Sequence, residues 1–118
     1  VSSAASDVYK RQDLPIEYKS TIGKKLTATY NGISVQPTWE EQVDYLVDEK
    51  IGKYHHHYYA RYKDGKIVEV WRMTAKQVLD ILLPELKKKF STVKNRKDPR
   101  LGHTISNKLI VEQGTKIM

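Results

Sequence analysis

Residues 54–73 read Tyr-His-His-His-Tyr-Tyr-Ala-Arg-Tyr-Lys-Asp-Gly-Lys-Ile-Val-Glu-Val-Trp-Arg-Met. The pattern is two strands around Asp64-Gly65, a dipeptide suited to the left-handed positions of a tight hairpin turn. Turn type sets the register, and the register decides which face is buried. A two-residue type I′ turn pairs Tyr62 with Ile67 and places Glu69 among Tyr58, Ala60, Ile67 and Trp71. A three-residue turn with Gly65 in a left-handed bulge pairs Tyr62 with Lys66 instead. Tyr58, Ala60, Val68 and Val70 then share an apolar face, with His56 and Arg72 at its ends. The other face carries His55, His57, Tyr59, Arg61, Ile67, Glu69, Trp71 and Met73. The second register separates apolar from polar-aromatic groups, so it is the expected one, with the valines inward.

The flanking segments supply elements to cover that inner face. Leu14–Tyr18 reads as a short extended lead-in. Leu26–Tyr30 and Ile33–Gln36 flank Asn31-Gly32, a strong hairpin signal that puts Leu26, Ala28, Tyr30, Ile33 and Val35 on one face. Pro37-Thr38-Trp39-Glu40-Glu41 has the form of a helix start with a capping box. Trp39, Val43, Leu46, Val47 and Ile51 recur at helical spacing, and Gly52 is placed to stop the helix in a left-handed conformation. The carboxylates Glu40, Glu41, Asp44, Asp48 and Glu49 fall on its outer face, where a solvated surface is the simplest reading. Thr74–Gln77 is a second capping box, followed by the stripe Val78, Leu79, Leu82, Leu86 and Phe90. Pro84 lies within that run and is expected to kink the helix or divide it at Leu83, because proline lacks an amide hydrogen and crowds the preceding turn. Residues 103–118 fit either a strand or a short helix from Ser106 to Gln113 stopped by Gly114, and the caps favour the helix.

This order predicts an α+β domain: an antiparallel sheet from two β-hairpins, two helices on one face, in the order ββαββα, and a C-terminal tail. The chain has 118 residues, suited to one domain over residues 13–118. Ser2–Gln12 looks like the translated adapter of a sequencing library, so residues 1–12 are set aside from the fold, whether as that scar or as a polar leader. Without them the formal charge falls from +7 to +6.

Charge is unevenly spread. Lys87, Lys88, Lys89, Lys94, Arg96, Lys97 and Arg100 face only Asp98 within residues 87–100, and the rest of residues 13–118 is close to neutral. Such a segment suits phosphate contacts. Aromatics beside cations suit stacking on bases. The expected function is therefore non-enzymatic nucleic-acid binding, with His57, Tyr59, Arg61 and Trp71 on the sheet and the basic segment on the backbone. Two alternatives follow from the same residues. The aromatic face could instead form a homo-oligomer interface, or His55 and His57 could begin a metal site in an enzyme such as a nuclease. No further ligand at metal-site spacing accompanies those histidines, and there is no nucleotide loop or nucleophile elbow, so no catalytic residue and no cofactor is expected. The chain contains no cysteine, which excludes disulfides and thiol catalysis in it. With no apolar run long enough to span a bilayer, a cytoplasmic protein without a membrane partner is the expectation.

Overall fold

The computed structural model describes residues 15–118. The leader over residues 1–12 and Leu14 lie outside the described residues. The elements are β1 (Ile16–Ile22), β2 (Ala28–Ser34), α1 (Trp39–Tyr45) running into a π-helical turn (Leu46–Lys50), β3 (His56–Lys63), β4 (Lys66–Thr74), α2 (Ala75–Lys94), β5 (Arg100–Ile105), α3 (Asn107–Gln113) and β6 (Thr115–Lys116). The fold is α+β, and the order through α2 is ββαββα, with the expected lead-in as its first strand and the expected first hairpin as its second. Four strands form one sheet in the order β1-β3-β4-β6, and β2 with β5 forms a second. No helix among the described residues is long and apolar enough to cross a membrane.

The central hairpin combines features of both expected registers. Asp64 and Gly65 take φ of 52° and 76°, a two-residue turn with Lys63 opposite Lys66 and Tyr62 opposite Ile67. A bulge follows at once. Arg61 pairs with Glu69, so Val68 is the extra residue, and beyond it Ala60 meets Val70 and Tyr59 meets Trp71. Past the bulge the faces group as expected from the three-residue turn, but Ile67, opposite Tyr62, moves to the Ala60 side. The direction of burial is nevertheless the reverse of the expected one. Tyr59 and His57 are 0% exposed and Met73 is 1% exposed, whereas Val68 is 40% exposed and Val70 is half-buried.

Hydrogen bonding explains the reversal. A phenol or imidazole is costly to bury only when its polar atoms lack partners. Tyr30 on β2 supplies a partner for both His57 and Tyr59. Their larger apolar surfaces then favour the inner side over the smaller valines. Ala60, on the valine side, is fully covered as well.

Leu26, Ala28, Tyr30 and Ile33 are in the core and Val35 packs against it, but Asn31-Gly32 is not a hairpin turn. β2 is one strand paired with β5, and Asn31 and Gly32 together face the single residue Gly102. Gly32 takes the positive φ of 63° that this bulge needs. A side chain at Gly102 would meet Asn31 Cα at 3.2 Å, so the close approach explains both glycines. β1 is the other departure: it runs parallel to β3 instead of leading into β2.

Thr38 caps α1 by accepting from the Glu41 amide at 3.1 Å. The π-helical turn then shifts the stripe by a residue. Leu46 and Ile51 enter the core, and Val47 is left 40% exposed. Gly52 ends the turn without a left-handed φ; it is needed because a Cβ there would lie 2.0 Å from the Val47 carbonyl oxygen. Thr74 and Gln77 form the reciprocal capping box of α2, which runs undivided through Pro84. Val78, Leu82, Leu86 and Val93 are its buried stripe. Ser106 caps α3, which ends at Gly114 as its caps suggest.

Candidate nucleic-acid interface

The four sheet residues expected to meet a ligand are already engaged within the protein. Tyr30 Oη lies 2.7 Å from His57 Nδ1 and 2.6 Å from Tyr59 Oη, and His57 Nε2 lies 3.2 Å from the Ile51 carbonyl. A carbonyl only accepts, so Nε2 carries the proton and Nδ1 accepts from Tyr30. Tyr59 then donates to the Tyr30 oxygen. This closes a three-residue network with every polar atom satisfied. Burial lowers the His57 pKa to about 4 and raises both phenols above their ordinary value. His57 is thus neutral near pH 7, with both ring nitrogens occupied, and it reaches no solvent. That leaves it unable to serve as a metal ligand or an external base. His55 is exposed and lies before β3, so the two histidines do not converge. Among the described residues no cluster of three His, Cys, Asp or Glu side chains is placed to hold a metal ion.

Arg61 and Trp71 are held by Glu69. Arg61 Nε donates to Glu69 Oε1 at 2.6 Å, and Trp71 Nε1 donates to Oε2 at 3.1 Å. A further Arg61 nitrogen donates to the Gly23 carbonyl at 3.0 Å. The Arg61 guanidinium holds the Glu69 carboxyl below the usual carboxylate range. Trp71 is half-buried and packs against the core. Arg61 therefore ties the sheet to the Gly23 loop, and Glu69 links it to Trp71.

The basic segment is distributed differently. α2 continues through it to Lys94, and after a short turn β5 begins at Arg100. Lys88 and Thr92, four residues apart, share one stripe of the helix, and Arg96 follows in the turn just past its end. With Lys89, Val93, Arg100 and Gly102 they line a groove of about 380 Å³ between α2 and β5. Four of the seven expected cations thus converge: Lys88, Lys89, Arg96 and Arg100. Lys89 Nζ donates to the Gly102 carbonyl at 2.7 Å and lies 3.3 Å from His103 Nδ1. Exposed ion pairs join Lys88 to Glu85 at 3.2 Å and Arg100 to Asp98 at 3.4 Å, and such pairs exchange easily for a ligand anion. Among the described residues Arg96 has no ion-pair partner. Lys94 turns aside to the Pro37 carbonyl, and Lys87 and Lys97 are exposed outside the groove.

A larger depression of about 470 Å³ lies between β1 and β2, lined by Lys19, Ser20, Thr21, Ile22, Thr27 and Thr29. It holds one cation, whose Nζ sits 4.5 Å from the Tyr30 ring centroid, and no converging set of titratable groups. Sequence reasoning did not bring Thr92 or Gly102 to the groove. The signal available for Thr92 was its four-residue spacing from Lys88, which places both on one helical face. Compared with known proteins, the chain matches no family model and no curated protein.

Proposed function

We propose that this chain is a non-enzymatic nucleic-acid-binding protein that grips the phosphate backbone in the groove between α2 and β5. The observation that carries the reading is the convergence of Lys88, Lys89, Arg96 and Arg100 on one concave surface, with Thr92 in the same lining. Two guanidinium groups can each meet a phosphate through paired N–H donors, and the two ammonium groups add mobile point charge. Backbone contacts of this kind position a ligand without reading its sequence.

Fluorescence anisotropy with labelled DNA and RNA over a series of salt concentrations tests this. If the four cations each neutralise one phosphate, the logarithm of affinity falls with the logarithm of salt at a slope of about −3 for single strands and about −3.6 for duplex DNA. Arg96→Gln or Arg100→Gln should each flatten the slope by roughly 0.7 to 0.9. Binding that ignores salt, or no binding at low salt, overturns the reading.

A further inference from the structure

The four-stranded sheet has a second face, opposite the buried Tyr59, and it is open. β1 presents Ile16, Tyr18, Ser20 and Ile22 there, all exposed. The parallel register sets Tyr18 beside Tyr58, and the hairpin sets Tyr58 beside Arg72. Tyr18 and Tyr62 lie farther apart along their strands, yet their hydroxyls meet at 2.7 Å. Ser20 and Ala60 are paired between them, so the rings close over small side chains and Ala60 is fully covered. Tyr18 nonetheless keeps 49% of its surface exposed, and Ile22 keeps 86%. A shallow depression of about 260 Å³ adjoins Tyr62 and Ile22.

Charge and area narrow the choice of occupant. Glu17 and Glu69 fall on the other face by strand alternation, so among the described residues the acidic side chain bordering the open face is Asp64 at the hairpin tip. Arg72 carries positive charge among the tyrosines, whereas partial burial, with His55 and Arg72 nearby, lowers the His56 pKa and favours its neutral ring. Seven residues of strand at about 3.3 Å each, by three strands about 4.8 Å apart, outline roughly 330 Å². A stable protein partner buries about 800 Å² on each side, so a second copy of the chain would have to reach well beyond this face. Aromatic side chains beside an arginine on an open sheet instead suit a few unstacked bases.

We infer that the outer face of the β1-β3-β4 sheet stacks the bases of single-stranded nucleic acid on Tyr18, Tyr58 and Tyr62, with Arg72 toward the backbone. The ligand class rests on the reading of the α2–β5 groove, but the site is separate from it. The face would supply a preference for single strands that the groove lacks.

The test compares the intact protein's affinity for a single-stranded oligodeoxythymidine and for an abasic strand of equal length, which carries the same phosphates and no bases. The wild type should prefer the thymidine strand by about tenfold or more, the scale of one stacked base. Tyr58→Ala and Tyr18→Ala should remove the preference and leave abasic binding unchanged, whereas Tyr58→Phe and Tyr18→Phe, which keep the ring, should retain it. The double substitution Arg96→Gln and Arg100→Gln should weaken both strands alike. Equal affinity of the wild type for the two strands, or a preference that survives Tyr58→Ala, overturns the stacking face while leaving the groove intact. Thymidine binding that persists without abasic binding overturns the groove and keeps the face. A dimer at assay concentration that Tyr58→Ala converts to monomer assigns the face to a second copy and overturns the inference.

Discussion

His57 is the residue whose chemistry is most altered by folding. Its pKa falls from 6.5 to about 4 because burial disfavours the charged ring. The unfolded chain therefore takes up a proton before the folded chain does. Stability is fully present above pH 6.5, falls as the pH drops toward 4, and is flat with respect to this group below that. The shift corresponds to about 3 kcal/mol. Glu69 acts in the same direction at lower pH, since its carboxyl is held below the ordinary value by Arg61. Urea denaturation at a series of pH values checks this. His57→Gln offers an oxygen to Tyr30 and an N–H to Ile51 without titrating, so it should flatten the fall between pH 6.5 and 4. Tyr59→Phe removes one buried hydrogen bond and should cost about 1 kcal/mol. It should leave nucleic-acid affinity unchanged, because Tyr59 is not on a ligand surface. Sequence reasoning placed these side chains together on one face of the hairpin. It could not see that Tyr30, distant in the chain, would satisfy them from the opposing sheet and so draw them inward.

At the level of elements, caps were legible and turns were less so. Thr38, Thr74 and Ser106 each accept from the amide three residues on, a local interaction that neighbouring residues alone specify. Asn31-Gly32 shows the limit of local reading. A two-residue turn and a bulge opposite Gly102 both keep Tyr30 and Ile33 on one face, so the core residues were identified through the wrong pairing. Only β5, some seventy residues later, decides between them. The π-helical turn was likewise hidden, because it depends on how Leu46 and Ile51 fit the core. The glycines separate these cases. Gly52→Ala brings a methyl within 2.0 Å of a fixed carbonyl and should cost about 2 kcal/mol or more. Gly32→Ala meets nothing within 4 Å and is opposed by its positive φ alone, so about 1 to 2 kcal/mol is expected. Thermal melts of the two variants should rank in that order.

For the whole molecule, the α+β class and the core stripes followed from periodicity, while the second sheet and the parallel β1–β3 pairing depended on contacts that no local pattern encodes. The basic segment was visible as composition, but its geometry was not: one long helix, the turn after it and one strand bring four cations together and leave three elsewhere. The central claim is that this groove meets phosphate. Amide chemical-shift mapping of the isotope-labelled protein, titrated at low salt with a short oligonucleotide, tests it most directly. The largest shifts should fall between Lys88 and Gly102 and should disappear as salt is raised. Shifts confined to the acidic α1 surface, or none at all when the spectrum is otherwise that of a folded protein, would contradict it.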